Sequence, residues 1–242
     1  MKEEKVQKII ANKGFSSRRE AEKLIANGKV YVNDVKVTLG DRAKPTDKIV
    51  VNGITLENEE KVYFLLNKPR SVVSTSHDEK GRKTVVDLIE TDKRIYPVGR
   101  LDYDTTGLII LTNDGTLTNI LTHPKKSVPK TYLAKLNKVF EVEDLYKIKE
   151  DLKIDGKKVY VDKIKIKRND KKNNTSFVEI TIHEGRYHIV KRLFEKVGYD
   201  VVKLTRTSYG NLYLGKLQSG EYRRLKKKEI IELYKYGKEN KN

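Results

Sequence analysis

A chain of 242 residues with 52 Lys and Arg against 34 Asp and Glu carries a formal net charge of +18 and a pI near 9.7. Such a field points to a polyanionic partner, whether RNA, DNA or an anionic membrane surface, although a lysine-rich surface without special purpose has the same charge. The absence of Cys excludes disulfides and thiolate metal sites. No apolar run reaches the roughly 20 residues of a membrane span, and Met1-Lys2-Glu3-Glu4-Lys5 is not a secretory leader, so a cytoplasmic protein with no membrane partner is expected.

Between Lys5 and Ala11, Val6, Ile9 and Ile10 recur at helical spacing, and Gly14 suits the position just past a helix end. Ser17-Arg18-Arg19-Glu20 then fits a capping box, in which the Ser oxygen accepts from the backbone three residues on and Glu20 reaches back. Ala21, Leu24 and Ile25 give this second helix its apolar stripe, and Gly28 ends it. Short alternating runs follow at Val30-Tyr31-Val32, Val35-Lys36-Val37 and Ile49-Val50-Val51, punctuated by turns at Asn33-Asp34 and Asn52-Gly53. Two helices and a small β unit closing near residue 57 make one module, 1–57, and the polar, acidic stretch 58–61 reads as a linker. Residues 1–60 hold 12 Lys and Arg against 10 Asp and Glu, so +16 of the net charge belongs to the rest of the chain.

The second domain, 62–242, opens with the apolar run Val62-Tyr63-Phe64-Leu65-Leu66 and continues into a polar excursion from Ser71 to Thr84. A short helix is expected over 85–89, a strand over 108–111 and a short helix over 115–121. Strands are expected at 130–136, 159–167 and 177–182, with a helix over 143–150 between the first two. Val190, Leu193, Phe194 and Val197 give 187–197 an amphipathic helical pattern. Strands follow at 201–204 and 212–214, then a helix over 226–236 and a Lys/Asn-rich tail expected to fray. Strands outnumber helices without alternating with them, which predicts an α+β domain around a largely antiparallel or mixed sheet.

Gly99 to Gly115 holds the chemistry. Asp102-x-Asp104-x-Thr106-Gly107 imitates the start of a calcium loop, but the twelfth position, where a bidentate Glu is needed, is Asn113. Asp102 and Asp104 are too close in sequence to flank a glycosidic bond from opposite faces. What stands is one catalytic Asp acting on a nucleotide that a basic surface holds. The four His residues at 77, 123, 183 and 188 show no metal-ligand spacing and read as surface or RNA-facing groups.

Two resemblances sharpen this. Lys8-Ile9-Ile10-Ala11, Ser16-Ser17-Arg18-Arg19-Glu20-Ala21 and Ile25 through Asn33 resemble the small RNA-binding alpha-L domain, which implies RNA contacts at Ser17, Arg18, Arg19, Lys23 and Lys29. A helix N-terminus with free N–H groups suits a phosphate. Gly99-Arg100-Leu101-Asp102-x-Asp104-Thr105-x-Gly107-Leu108 resembles the signature of RNA pseudouridine synthases of the RsuA/RluB branch. In the same order come Asn67-Lys68-Pro69, Gly81-Arg82-Lys83, Lys130-Thr131-Tyr132, Glu184-Gly185-Arg186-Tyr187-His188-x-Val190-Lys191-Arg192 and Gly220-Glu221-Tyr222-Arg223. The resemblance implies isomerisation of uridine to pseudouridine in ribosomal RNA by a monomer, with the target base flipped out of its stack. Because the reaction is an isomerisation, it implies no metal and no redox cofactor. It assigns Asp102 as the catalytic carboxylate, Tyr132 as the residue packed on the flipped uracil, and Lys191 as the cation paired with Asp102. Arg82, Arg100, Arg186 and Arg192 are the candidate phosphate contacts, and Asp104 a loop-fixing acceptor. Ile189 stands where this family usually has Gln, which is expected to alter how that helix addresses RNA. The large-subunit RNA is the expected target, a small-subunit target is the alternative, and a non-catalytic ribosome-assembly factor is the alternative of another class.

Overall fold

The structure, a computed structural model, describes residues 2–238; the tail expected to fray lies outside them. The chain divides into two compact units, one of residues 1–62 with 91–95 and 113–115, the other of the remainder. In the first, α1 (Val6–Asn12) and α2 (Arg18–Ala26) bury Val6, Ile9, Ile10, Ala21 and Ile25. Ser17 Oγ accepts from Glu20 N at 3.1 Å, satisfying one free N–H of the first turn, while the Glu20 carboxylate lies 3.7 Å from Lys23. Four short strands follow: β1 (Val30–Val32), β2 (Val35–Lys36), β3 (Ile49–Val51) and β4 (Ile54–Thr55). They form an antiparallel sheet in the order β2-β1-β3-β4. Asn33 and Asp34 have φ of 48° and 66°, and Asn52 and Gly53 have 50° and 80°. Left-handed backbone at both central residues is what a two-residue hairpin turn requires. The 58–61 stretch is hydrogen-bonded within the first unit. Buried Asn113 donates to Glu59 Oε2 and Glu60 O, each at 2.9 Å, and accepts from Val62 N at 2.9 Å.

The second unit is built on a nine-stranded mixed sheet. Its elements are β5 (Tyr63–Lys68), β6 (Tyr96–Pro97), β7 (Thr106–Thr112), α3 (Gly115–Thr122), β8 (Lys130–Leu136) and α4 (Val142–Asp151). A separate hairpin of β9 (Lys153–Ile154) and β10 (Lys157–Lys158) precedes the long strands β11 (Val161–Asp170) and β12 (Thr175–Ile182). Then come α5 (Ile189–Lys196), β13 (Val201–Tyr209), β14 (Leu212–Tyr213), β15 (Tyr222–Arg224) and α6 (Lys227–Lys235). The main path runs β11-β12-β8-β13-β7-β5-β15, with β14 on β13 and β6 on β7. Among the described residues every ladder of this sheet is antiparallel except β7 against β13, where Thr106 faces Thr205 and Gly107 faces Arg206.

That parallel seam explains the sequence of β7. Leu108 to Leu111 are all fully buried, as expected of a central strand covered on both faces. Gly107 has φ of +104°, and a Cβ there would lie 2.3 Å from the Arg206 carbonyl oxygen, so only Gly lets the strands meet. α3 and α6 pack over Leu65, Leu108 and Ile110, and Leu117, Leu121 and Leu233 complete that core. α5 buries Val190, Leu193 and Phe194, with Phe194 edge-on to Phe140 at 5.8 Å. Across β11, β12, β8 and β13 the face holding Thr131 and Leu133 carries Lys163, Lys165 and Lys203, all exposed, in register with Thr181, Glu179 and Lys135.

Three expectations change. The helix expected over 85–89 is one 3-10 turn, Val86–Leu88, held by Asp87 Oδ2 accepting from Thr84 N and Oγ1 at 2.8 and 2.9 Å. The 187–197 helix starts only at Ile189, because His188 is left-handed (φ 50°, ψ 27°). The strand β15 went unrecognised: its three residues, Tyr222-Arg223-Arg224, are too short and too polar to alternate visibly. Among the described residues no helix is long and apolar enough to cross a membrane.

Candidate active site

The loop joining β6 to β7 is pinned from beneath. Lys68, at the end of β5, is wholly buried, and its Nζ donates to Thr105 O at 2.9 Å, Pro69 O at 3.1 Å and Tyr103 O at 3.4 Å. Burial pushes its ammonium down to about 8, against the opposing pull of Asp104 and Asp102. Ser74 Oγ donates to Leu101 O at 2.8 Å and accepts from Leu101 N at 3.1 Å, and Ser71 N donates to Tyr103 O at 2.9 Å. Thr105 N closes a turn on Asp102 O at 3.1 Å. With its backbone held this way, the loop turns both carboxylates outward, Asp102 one-third and Asp104 about one-half exposed.

They meet the first turn of α5. Lys191 Nζ donates to both oxygens of Asp104 at 2.8 Å and lies 3.9 Å from Asp102 Oδ2. The lysine expected to pair with Asp102 is therefore bonded to Asp104. The 102–105 turn brings the second carboxylate closer to the helix than the first. That hydrogen bond, with the Lys191 charge, holds the Asp104 carboxyl below its ordinary range although partial burial works the other way. Asp102 keeps Thr105 Oγ1 at 3.4 Å from Oδ2 and His188 Nε2 at 3.4 Å from Oδ1. His188, expected as a surface or RNA-facing group, is thus a member of this cluster. The signal that could have marked it was its place in the same sequence motif as Lys191, three residues before it.

Tyr132 sits on the same face of the sheet as Lys68, in the cross-strand row Lys68, Gly107, Arg206, Tyr132, and is 8% exposed. Arg206 is itself buried, donates from Nε to Leu108 O at 2.7 Å and lies over the Tyr209 ring. Among the described residues its buried Nη2 has no hydrogen-bond partner. Sequence reading missed both Lys68 and Arg206.

The expected phosphate contacts fall into two groups. Among the described residues Arg18, Arg19, Lys29 and Arg100 are exposed and make no ion pair, and Lys23 is exposed beside Glu20. Ser17 spends its oxygen on the α2 cap. Arg82 is committed to Asp78, Nη2 to Oδ1 at 2.7 Å. Arg186 bonds Glu184 and the carbonyls of Ile154 (2.8 Å) and Lys158 (3.4 Å), and Arg192 forks onto Asp155, with Nη1 2.8 Å from Oδ2. These last two tie α5 and its approach to the β9–β10 hairpin rather than standing free. Ile189 is buried, 5% exposed, so its side chain packs inward instead of addressing RNA. Among the described residues no group of three or more His, Asp and Glu is placed to hold a metal ion.

A basic α+β protein with a carboxylate on a hydrogen-bonded loop, faced by a Lys and a His, has the parts of an RNA-modifying enzyme. Residues 62–196 match the model of the RNA pseudouridylate synthase family and residues 4–49 that of the S4 domain, and the chain belongs to that synthase family. It is 46% identical to the ribosomal large subunit pseudouridine synthase B of Bacillus subtilis, over 99% of both chains. It is 37% identical to the dual-specificity RNA pseudouridine synthase RluF of Escherichia coli, over 96% of this chain and 78% of that one. A crystal structure of a pseudouridylate synthase superposes with a TM-score of 0.67 at 34% identity, covering 95% of this chain and 99% of the other.

Proposed function

We propose that this isomerase converts a specific uridine of large-subunit ribosomal RNA to pseudouridine, with Asp102 as the reacting carboxylate. The observation that carries the reading is the setting of Asp102, on a loop whose backbone is bonded at Leu101, Tyr103 and Thr105, with His188 and Lys191 beside it. The bond from the base nitrogen to the anomeric carbon breaks, the uracil turns, its carbon-5 joins that carbon and gives up its proton, and the freed base nitrogen ends protonated, so that atoms balance. Asp102 contributes by attacking the sugar or the base, or by taking a sugar proton. All three routes use its carboxylate form. Tyr132 packs on the flipped base, and Lys191, through Asp104, keeps the loop and α5 together.

The large-subunit target rests on the 46% identity to the Bacillus subtilis enzyme over nearly the whole of both chains. Residues 1–57 act as the RNA-binding module through Ser17, Arg18, Arg19, Lys23 and Lys29, and 62–242 as the catalytic domain joined by 58–61. The protein works as a cytoplasmic monomer, since one chain supplies every member of the cluster around Asp102. The test is pseudouridine mapping in ribosomal RNA from cells lacking the gene, complemented with the wild type or with Asp102→Asn. Loss of one large-subunit pseudouridine, restored by the wild type alone, is expected. Restoration by Asp102→Asn would refute the role of Asp102, and a missing small-subunit site would refute the target.

A further inference from the structure

His188 lies 3.4 Å from Asp102, closer than Lys191 at 3.9 Å, and Lys191 is already engaged by both oxygens of Asp104. His188 is the N-cap of α5 and Lys191 lies in its first turn, and both side chains reach the loop carrying Asp102 and Asp104. Two basic side chains therefore face the two carboxylates. Lys191 takes Asp104, and His188 takes Asp102.

The backbone at 188 is built for this contact. His188 caps α5 with φ 50° and ψ 27°. Left-handed backbone is strained for an L residue and persists where the surroundings enforce it. Here they do: Ile189 and Val190 are buried immediately after it, and Ile189 N bonds back to Arg186 O at 3.3 Å. Its ring lies against that of Tyr187, with centroids 3.7 Å and planes 16° apart, which limits its rotation. Thr105 Oγ1 and Lys191 both lie toward the other carboxylate oxygen, Oδ2.

We propose that His188 is the positioning residue of the Asp102 carboxylate: Nε2 holds Oδ1 and fixes the rotation of the group, so that Oδ2 is presented to the nucleotide. This rests on Asp102 being the reacting acid.

The test uses the full chain and two variants. His188→Gly accepts the left-handed backbone without strain, so any loss of rate cannot be charged to the fold. His188→Gln returns an amide donor near the position of Nε2. Turnover is measured on a ribosomal RNA fragment with kcat and KM separated, alongside melting temperatures. The expected result for His188→Gly is a kcat lower by about 10- to 100-fold, the scale of a misplaced reacting group. Its KM stays within about twofold of wild type, its melting temperature does not fall, and His188→Gln recovers most of the rate. A raised KM with unchanged kcat in His188→Gly would mean that His188 only touches RNA and would overturn the proposal. Equal kcat losses in the Gly and Gln variants would overturn it too. Failure of the underlying assignment shows separately, as full turnover by Asp102→Asn.

Discussion

Lys68→Met tests whether the floor of the site is a buried charge. An unfolded lysine holds its proton to about 10.5, and folded Lys68 releases it near 8. Between those values the unfolded chain binds the additional proton, so stability rises with pH. The destabilisation from burying the ammonium is complete below about pH 8 and fades as pH climbs toward 10.5. Integrated from pH 7 to pH 9.5, at about 1.4 kcal/mol for each pH unit, the gain is about 2 kcal/mol. Lys68→Met cannot have it. At pH 7 the variant also leaves the Thr105 and Pro69 carbonyls without their ammonium donor, whereas Tyr103 O keeps Ser71 N. Urea unfolding at both pH values, followed by tyrosine fluorescence, suits a chain with 14 Tyr and no Trp, of which Tyr31 alone precedes residue 63. Wild type should gain about 2 kcal/mol on the variant between pH 7 and pH 9.5. Parallel pH profiles would refute the buried-cation account of Lys68.

Gly107→Ala should cost at least about 3 kcal/mol, because its Cβ meets the Arg206 backbone and its φ disfavours any side chain. A melting temperature within 2 °C of wild type would contradict the close approach at the seam. Lys163→Gln/Lys165→Gln/Lys203→Gln should flatten the salt dependence of RNA binding by about two to three units of log–log slope. An unchanged slope would remove that sheet face from the basic surface.

What the sequence discloses here is what depends on near neighbours. The Ser17 cap, the two Asn-led hairpins and the unbroken apolar run of β7 each follow from spacing within a few residues, and each is where the pattern puts it. The central loop is legible for the same reason, as acids between glycines ahead of a buried strand. Lys68 is not, because a lysine before a proline at a strand end looks solvent-facing until carbonyls 35 and 37 residues away close over it. Arg186 and Arg192 look free until the small hairpin at 153–158 supplies Asp155 and its carbonyls. The start of α5 is misplaced by apolar periodicity alone, which runs through His188 and is blind to a left-handed residue.

The parallel seam also sets a clock. Thr106 Oγ1 bonds Thr205 Oγ1 across 99 residues of chain, and the loop bearing Asp102 is the immediate approach to that junction. During synthesis the acid emerges first. At about 5–20 residues per second, β13 follows roughly 5 to 20 s later. Until then β7 has no partner on that side, and His188 and Lys191 have only just been made. A nascent or prematurely stopped chain ending before β13 is therefore basic and RNA-adherent but lacks a completed site. The seam beside the Asp102 loop therefore closes only in chains translated past β13.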